Sequence, residues 1–264
     1  MADLRKEDDF MKKISVIICI MLALATVFCG SVSAGGKCFG WYCMRKPDHV
    51  RPSAEGEMSF IEKYGGAYIG KNPDEKVVYL TFDAGYENGN IARILDTLKK
   101  HNACGAFFVL ENIIKRDTSL VRRMADEGHL VCNHTSRHKN MTTLTREEFS
   151  AELASLEATA HDVAGVEVAK FYRPPEGKFN EENLAWANEL GYKTIFWSFA
   201  YADWDNSKQP DPERAKKLIL DNIHNGAILL LHPTSKTNAD ILDSVLTSLE
   251  NSGYRFGTLD EIFE

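Results

Sequence analysis

From Lys76 to the C-terminus, short and continuously apolar runs alternate with amphipathic segments, and this alternation limits the fold more than anything else in the chain. Runs such as Phe107-Phe108-Val109-Leu110 and Ala227-Ile228-Leu229-Leu230-Leu231 lack the polar residue at every second position that a half-exposed strand shows. Strands of that kind are covered on both faces, as in parallel sheets flanked by helices. Strands are expected at residues 77–83, 103–110, 129–133, 169–172, 193–198 and 227–231. Between them the period is helical: Ile91, Ile94, Leu95 and Leu98 share one face of a helix over residues 90–101. Further helices are expected at 119–127, closed by Gly128, and at 146–163, opened by a Thr145/Glu148 capping box. Others are expected at 181–190, at 212–224 with Pro212 in its first turn, and at 239–251. Repeated strand–helix alternation predicts an α/β fold with a parallel sheet, here a closed or distorted barrel rather than an open sheet.

Chemistry gathers where these strands end. Val77 to Thr81 leads into Asp83, and Gly85 turns the chain. The strand at 129–133 is followed by His134 and His138, and the one at 169–172 by Arg173-Pro174-Pro175-Glu176-Gly177. Asp203-Trp204 follows the next strand and its loop, and His232 ends the last. Asp83 alone can equally be a helix cap. In barrels and parallel sheets, however, strand C-terminal ends share one face, so the five together describe a site.

Each residue type suits a role. His134 and His138 are four apart, which in a helical turn puts both imidazoles on one face, within reach of a single metal ion. An imidazole site suits zinc, with cobalt or nickel as substitutes. The two prolines after Arg173 fix the backbone, and a fixed arginine fork orients a carboxylate. Glu176 is the first residue after them with an N–H, a candidate oxyanion donor. His232 is either a satisfied core histidine or a general acid; Asp203 can hold its ring and raise its pKa.

A net charge of −7 over 264 residues, with no long basic run, argues against nucleic acid as a partner. The start of the chain has another purpose. Ile14 to Phe28 is apolar apart from Ser15 and Thr26, with Lys12-Lys13 before it and Val32-Ser33-Ala34 after it. Residues 1–34 therefore read as a signal peptide cut after Ala34, with translation starting at Met11. Export permits disulfides, and Cys38 and Cys43 are close enough in sequence to close a small loop; Cys104 and Cys132 read as buried thiols. Residues 35–75 read as a leader that wraps the domain at 76–264.

Five blocks in order, Thr81-Phe82-Asp83, His134-x-x-x-His138, Arg173-Pro-Pro-x-Gly177, Asp203-Trp204 and Leu230-x-His232, resemble the polysaccharide deacetylases of carbohydrate esterase family 4, the NodB-homology proteins. Thr81 to Gly89, Phe196-Trp197-Ser198 and Leu231-His-Pro-Thr-Ser235 look like the PdaA-type branch, which makes muramic δ-lactam in spore cortex peptidoglycan. The resemblance implies a distorted (β/α) barrel and metal-dependent removal of acetyl groups from N-acetylmuramic acid in peptidoglycan glycan strands. It also implies an exported protein of the cell envelope or forespore intermembrane space. It makes Asp83 the base, His134 and His138 the ligands of a divalent metal such as zinc, and Arg173 the group that orients Asp83. It makes His232 the acid, tuned by Asp203, and places Trp204 and Leu230 at the acetyl group; Tyr86 and Glu176 are further candidate substrate contacts in the sequence.

The chain departs from the family at Ala84, where most members carry an acid that is the third metal ligand. The PdaA-type branch lacks it too. Water, or a side chain such as Cys132 two residues before His134, is left to complete the site. Two rivals stand beside this reading: a general peptidoglycan or chitin N-acetylglucosamine deacetylase, and a non-catalytic glycan-binding pseudoenzyme.

Overall fold

The computed structural model describes residues 36–54 and 56–264; the expected signal peptide lies outside them. In chain order the described strands are β1 (Phe39–Gly40), β2 (Val77–Ala84), β3 (Gly105–Val109), β4 (Leu130–Asn133), β5 (Ala169–Tyr172), β6 (Lys178–Phe179), β7 (Lys193–Thr194), β8 (Ala227–Leu231) and β9 (Arg255–Phe256). The helices are α1 (Ile91–Lys100), α2 (Glu111–Arg116), α3 (Thr118–Asp126), α4 (Arg146–Thr159), α5 (Glu181–Glu189), α6 (Pro212–Asn222) and α7 (Lys236–Asn251).

The main sheet is parallel throughout, in the order β7-β5-β4-β3-β2-β8, with β9 added to the start of β2. β2 lies between β3 and β8 and is buried along almost its whole length. Its side chains alternate between two apolar layers. Val78, Leu80, Phe82 and Ala84 face outward into the layer under α1, α3 and α7. Val77 and Tyr79 face an inner layer with Phe108, Cys132, Phe171, Ile195 and Ile228. The same alternation turns Thr81 and Asp83 inward and Ala84 away from them.

The sheet curls until its two edges nearly meet. The strand expected over 193–198 pairs with β5 only at Lys193–Thr194, because the chain then leaves that ladder to close the barrel. The N–H groups of Ser198 and Phe199 donate to Ile228 O (3.1 and 3.2 Å), and Leu230 N donates to Phe199 O (2.9 Å). Residues 67–70 bridge the gap: Ala67 donates to Thr194 O (2.9 Å) and accepts from Phe196 N (2.8 Å), and Gly70 N donates to Gly226 O (2.7 Å) beside β8. A strap formed by residues 39–51 covers this seam. Trp41 stacks on Phe196 (4.7 Å between ring centres) and donates its indole N–H to Trp197 O (2.9 Å). Farther down, Arg51 Nη2 donates to Gly70 O (2.6 Å). The result is a distorted parallel (β/α) barrel.

The helices differ from expectation at their ends. The Thr145/Glu148 capping box of α4 is present. α7 starts at Lys236, three residues before the expected Ala239, because Ser235 caps it by accepting from Asn238 N (3.1 Å). Cys38 carries a free thiol whose sulfur accepts from the Thr142 hydroxyl (3.5 Å), so it does not close a small loop. Cys132 is fully buried in the inner apolar layer, whereas Cys104 is only partly buried.

Candidate active site

Asp83 stands at the inward, C-terminal end of β2 and meets Arg173, the first residue after β5. Arg173 is completely buried and spends its whole fork: Nη1 on Asp83 Oδ1 (2.7 Å), Nη2 on Thr81 Oγ1 (2.9 Å) and Phe196 O (3.3 Å), and Nε on Ile195 O (3.0 Å). The guanidinium also lies 4.1 Å above the Phe108 ring, a favourable cation–π position. Burial opposes ionisation of Asp83, but Arg173, His134 and His232 outweigh it and hold the pKa below the usual carboxylate value. Asp83 is therefore an ionised carboxylate, fixed at one oxygen and open at the other.

The other oxygen faces His134, with Asp83 Oδ2 3.6 Å from Nε2. His134 donates Nδ1–H to Arg173 O (2.9 Å), which fixes the tautomer and leaves an Nε2 lone pair aimed into the cavity. Burial lowers its pKa to about 4, so the ring is neutral. His138 lies 4.9 Å from it, ring centre to ring centre. The helical turn expected to present this pair is not there. Residues 134–138 form a loop in which Thr135 (φ 72°) and His138 (φ 56°) are left-handed. Such conformations cost about 1–3 kcal/mol each in non-glycine residues, so the surroundings must hold them.

On the opposite wall Asp203, fully buried, accepts both from His232 N (2.8 Å, Oδ2) and from His232 Nδ1 (2.7 Å, Oδ1). Burial alone would lower the His232 pKa; the Asp203 hydrogen bond and charge overcome this and raise it. Nδ1 is thus committed to Asp203, and the proton that His232 can exchange is on Nε2. A histidine raised in this way stabilises the fold at low pH, and the contribution disappears as pH rises through the folded value. An NMR titration of the His232 ring is expected to place its pKa above 6.5, and Asp203→Asn to bring it below the wild-type value; equal values in the two proteins would remove Asp203 from this role.

Between these walls lies a cavity of about 770 Å³. Asp83, Tyr86, His134, His138, Glu176, Trp204, Leu230 and His232 all line it, while Arg173 and Asp203 sit buried behind Asp83 and His232. Tyr86 and Trp204 are 46% and 60% exposed, and Trp204 lies 6.1 Å from His232 between ring centres, so these two form the mouth. Glu176 is left-handed (φ 56°), in a turn completed by Gly177, where an added Cβ would strike Trp197. Its carboxylate pairs with Lys178. Two positioning residues went unseen in the sequence. Thr81 relays Arg173 to Leu229 O (2.9 Å), and Asn238 donates to Asp203 Oδ2 (2.6 Å) and His232 O (3.0 Å).

His134 presents a neutral imidazole with its Nε2 lone pair toward the cavity, and the His138 ring lines the same cavity beside it. Among the described residues no group of three or more His, Cys, Asp and Glu side chains is arranged to hold a metal ion. Ala84 faces the outer apolar layer and Cys132 packs among inner-layer residues. The donor set fits an ion on two histidines, with its remaining positions left to solvent or substrate.

Residues 70–195 match the family model described as "Polysaccharide deacetylase". The chain is 38% identical over 253 residues to the peptidoglycan-N-acetylmuramic acid deacetylase PdaA of Bacillus subtilis (strain 168), covering 96% of each. It is 33% identical over 211 residues to a peptidoglycan-N-acetylglucosamine deacetylase of Bacillus cereus, covering 78% of this chain and 75% of that one. The solved structure of B. subtilis PdaA, described as a family 4 carbohydrate esterase, superposes with a TM-score of 0.83 at 39% identity, covering 86% of this chain and 97% of that one.

Proposed function

The chain belongs to the polysaccharide deacetylase family and is a hydrolase of N-acetyl amide bonds in peptidoglycan, and we propose that its substrate is N-acetylmuramic acid and its product the precursor of muramic δ-lactam. The observation that carries the chemistry is the pair of opposed, separately supported groups: Asp83 held ionised by Arg173, and His232 held by Asp203, whose hydrogen bond and charge favour its protonated form. The muramic reading is supported by the likeness to the N-acetylmuramic acid deacetylase along nearly the whole chain, and by the lack of an acid at Ala84.

In this mechanism Asp83 takes a proton from water as its oxygen attacks the acetyl carbonyl carbon. The Glu176 N–H is the donor offered to the resulting oxyanion. His232 gives its Nε2 proton to the sugar nitrogen as the C–N bond breaks, leaving acetate and a free amine. A divalent ion on His134 and His138, with zinc our assignment, would supply Lewis-acid polarisation of the carbonyl. Arg173 holds the Asp83 carboxylate in register, and Tyr86, Trp204 and Leu230 hold the sugar and its acetyl group. In the product the free amine faces the lactyl carboxylate of the same residue, and loss of water between them gives the lactam.

A pseudoenzyme would have no use for two supported proton carriers facing each other, so the binding-only rival is disfavoured. We place the protein outside the cytoplasmic membrane on the strength of residues 14–34. The deciding test is incubation of zinc-loaded protein with peptide-stripped peptidoglycan and, in parallel, with chitooligosaccharide, followed by mass spectrometry. Acetate loss from muramic acid, lactam formation and silence in excess chelator are expected. Faster turnover of the chitooligosaccharide would favour the N-acetylglucosamine alternative, and full activity in chelator would remove the ion from the mechanism.

A further inference from the structure

We infer that Glu152, on α4, is a positioning residue for the histidine pair: its buried carboxylate fixes the loop from His134 to Lys139 and so sets where His138 stands. The inference rests on the metal reading above.

His134 and His138 are held very differently. The His134 ring is anchored through Nδ1 to Arg173 O (2.9 Å). The His138 ring makes no hydrogen bond among the described residues, so its place depends on its backbone. That backbone is left-handed, as is Thr135, in a stretch with no glycine. Such a loop keeps its shape only if its polar groups are tied down.

The amides show where the ties are. His134 N donates to Val109 O (3.1 Å), Thr135 N to Asn133 Oδ1 (2.9 Å) and His138 N to Thr135 Oγ1 (2.9 Å). The two amides between them both go to Glu152: Ser136 N to its carbonyl (3.2 Å) and Arg137 N to its Oε2 (3.1 Å). Its other carboxylate oxygen takes Lys139 Nζ (2.9 Å), with Arg137 Nε at 3.8 Å. The Glu152 carboxylate thus grips the loop at Arg137 and Lys139, beside the main-chain bond at Ser136, while the residue is only 4% exposed. From the other side Glu111 accepts from the Ser136 hydroxyl, and its own N–H donates to Ser136 O (3.3 Å).

A carboxylate is expensive to bury, and α4 presents Glu152 on the face that buries Phe149, Leu153 and Leu156. Pure packing would put a leucine there. The grip has a purpose if the ion has only two protein ligands, because preorganisation then replaces the missing third. Loss of an outer partner that orients a ligand typically weakens metal affinity by about 10–100-fold.

The test uses the purified protein stripped of metal, with zinc affinity read by competition against a chromophoric chelator and amide exchange followed over residues 134–139. Glu152→Ala is expected to weaken zinc binding about 10–100-fold and to speed exchange in that loop. Glu152→Gln keeps an acceptor for the Arg137 N–H and is expected to recover most of both. Glu148→Ala, which damages the cap of the same helix without touching the loop, is expected to lower the melting temperature and leave zinc affinity unchanged. Wild-type zinc affinity in Glu152→Ala would overturn the inference, as would an exchange increase spread evenly over the fold. If the wild-type protein binds no zinc, the metal reading fails, and the loop's exchange still decides whether Glu152 is its clamp.

Discussion

Asp83→Asn is expected to reduce acetate release by about 10²–10⁴-fold, the range for loss of a positioned general base. The amide matches the carboxylate in shape and can still accept from Arg173, but it cannot take a proton from water. Zinc binding is expected to survive, since the two imidazoles do not depend on Asp83 for their tautomer: His134 is fixed by Arg173 O. The substitution also leaves the buried Arg173 charge without its carboxylate, and breaking a buried pair typically costs about 3–5 kcal/mol. The melting temperature should therefore be measured beside the rate, and the rate taken well below it. Turnover at the wild-type rate by folded Asp83→Asn would mean that another group is the base.

Much of this site could be read in the chain because of where the reactive side chains fall. A strand that ends at Asp83, Arg173 or His232 puts that residue on the same barrel face whatever the details of the loops, so neither register nor helix ends had to be right. What escaped was whatever acts through backbone or across the fold. The spacing of His134 and His138 suggested a helix, yet four residues also span a tight loop when Thr135 and His138 accept left-handed angles. The run at 193–198 reads as one strand, and nothing in it tells that residues 195–199 leave the β5 ladder for the single bridges that close the seam. Glu152 and Asn238 did leave a trace. Each is a polar residue on an apolar helix face, Glu152 among Phe149, Leu153 and Leu156, and Asn238 before Ile241, Leu242 and Val245. A polar group placed there must have a partner. Only the folded chain says that the partner is the histidine loop in one case and the Asp203–His232 pair in the other.

Arg173 joins fold closure to catalysis, and two substitutions are expected to separate its roles. One edge of its fork binds Asp83 and Thr81, the other the seam carbonyls of Ile195 and Phe196. Arg173→Gln removes the charge. Burial is the strongest influence on Asp83 and Arg173 the strongest opposing one, so the carboxyl pKa should rise. In the wild type the depressed pKa adds stability above the unfolded value, lost as pH falls through the folded value. In Arg173→Gln that contribution vanishes or reverses, by about 3–5 kcal/mol for an orphaned buried charge. The acid limb of kcat/KM should then move toward neutral pH as the base becomes protonated. Arg173→Lys keeps the charge but has one ammonium, which cannot reach both Asp83 and the seam. It is expected to restore much of the acid limb while the melting temperature stays low. Thermal denaturation and pH–rate profiles of the two variants decide the matter: if Arg173→Lys recovers stability and activity together, or neither, then closure and base orientation are a single function rather than two.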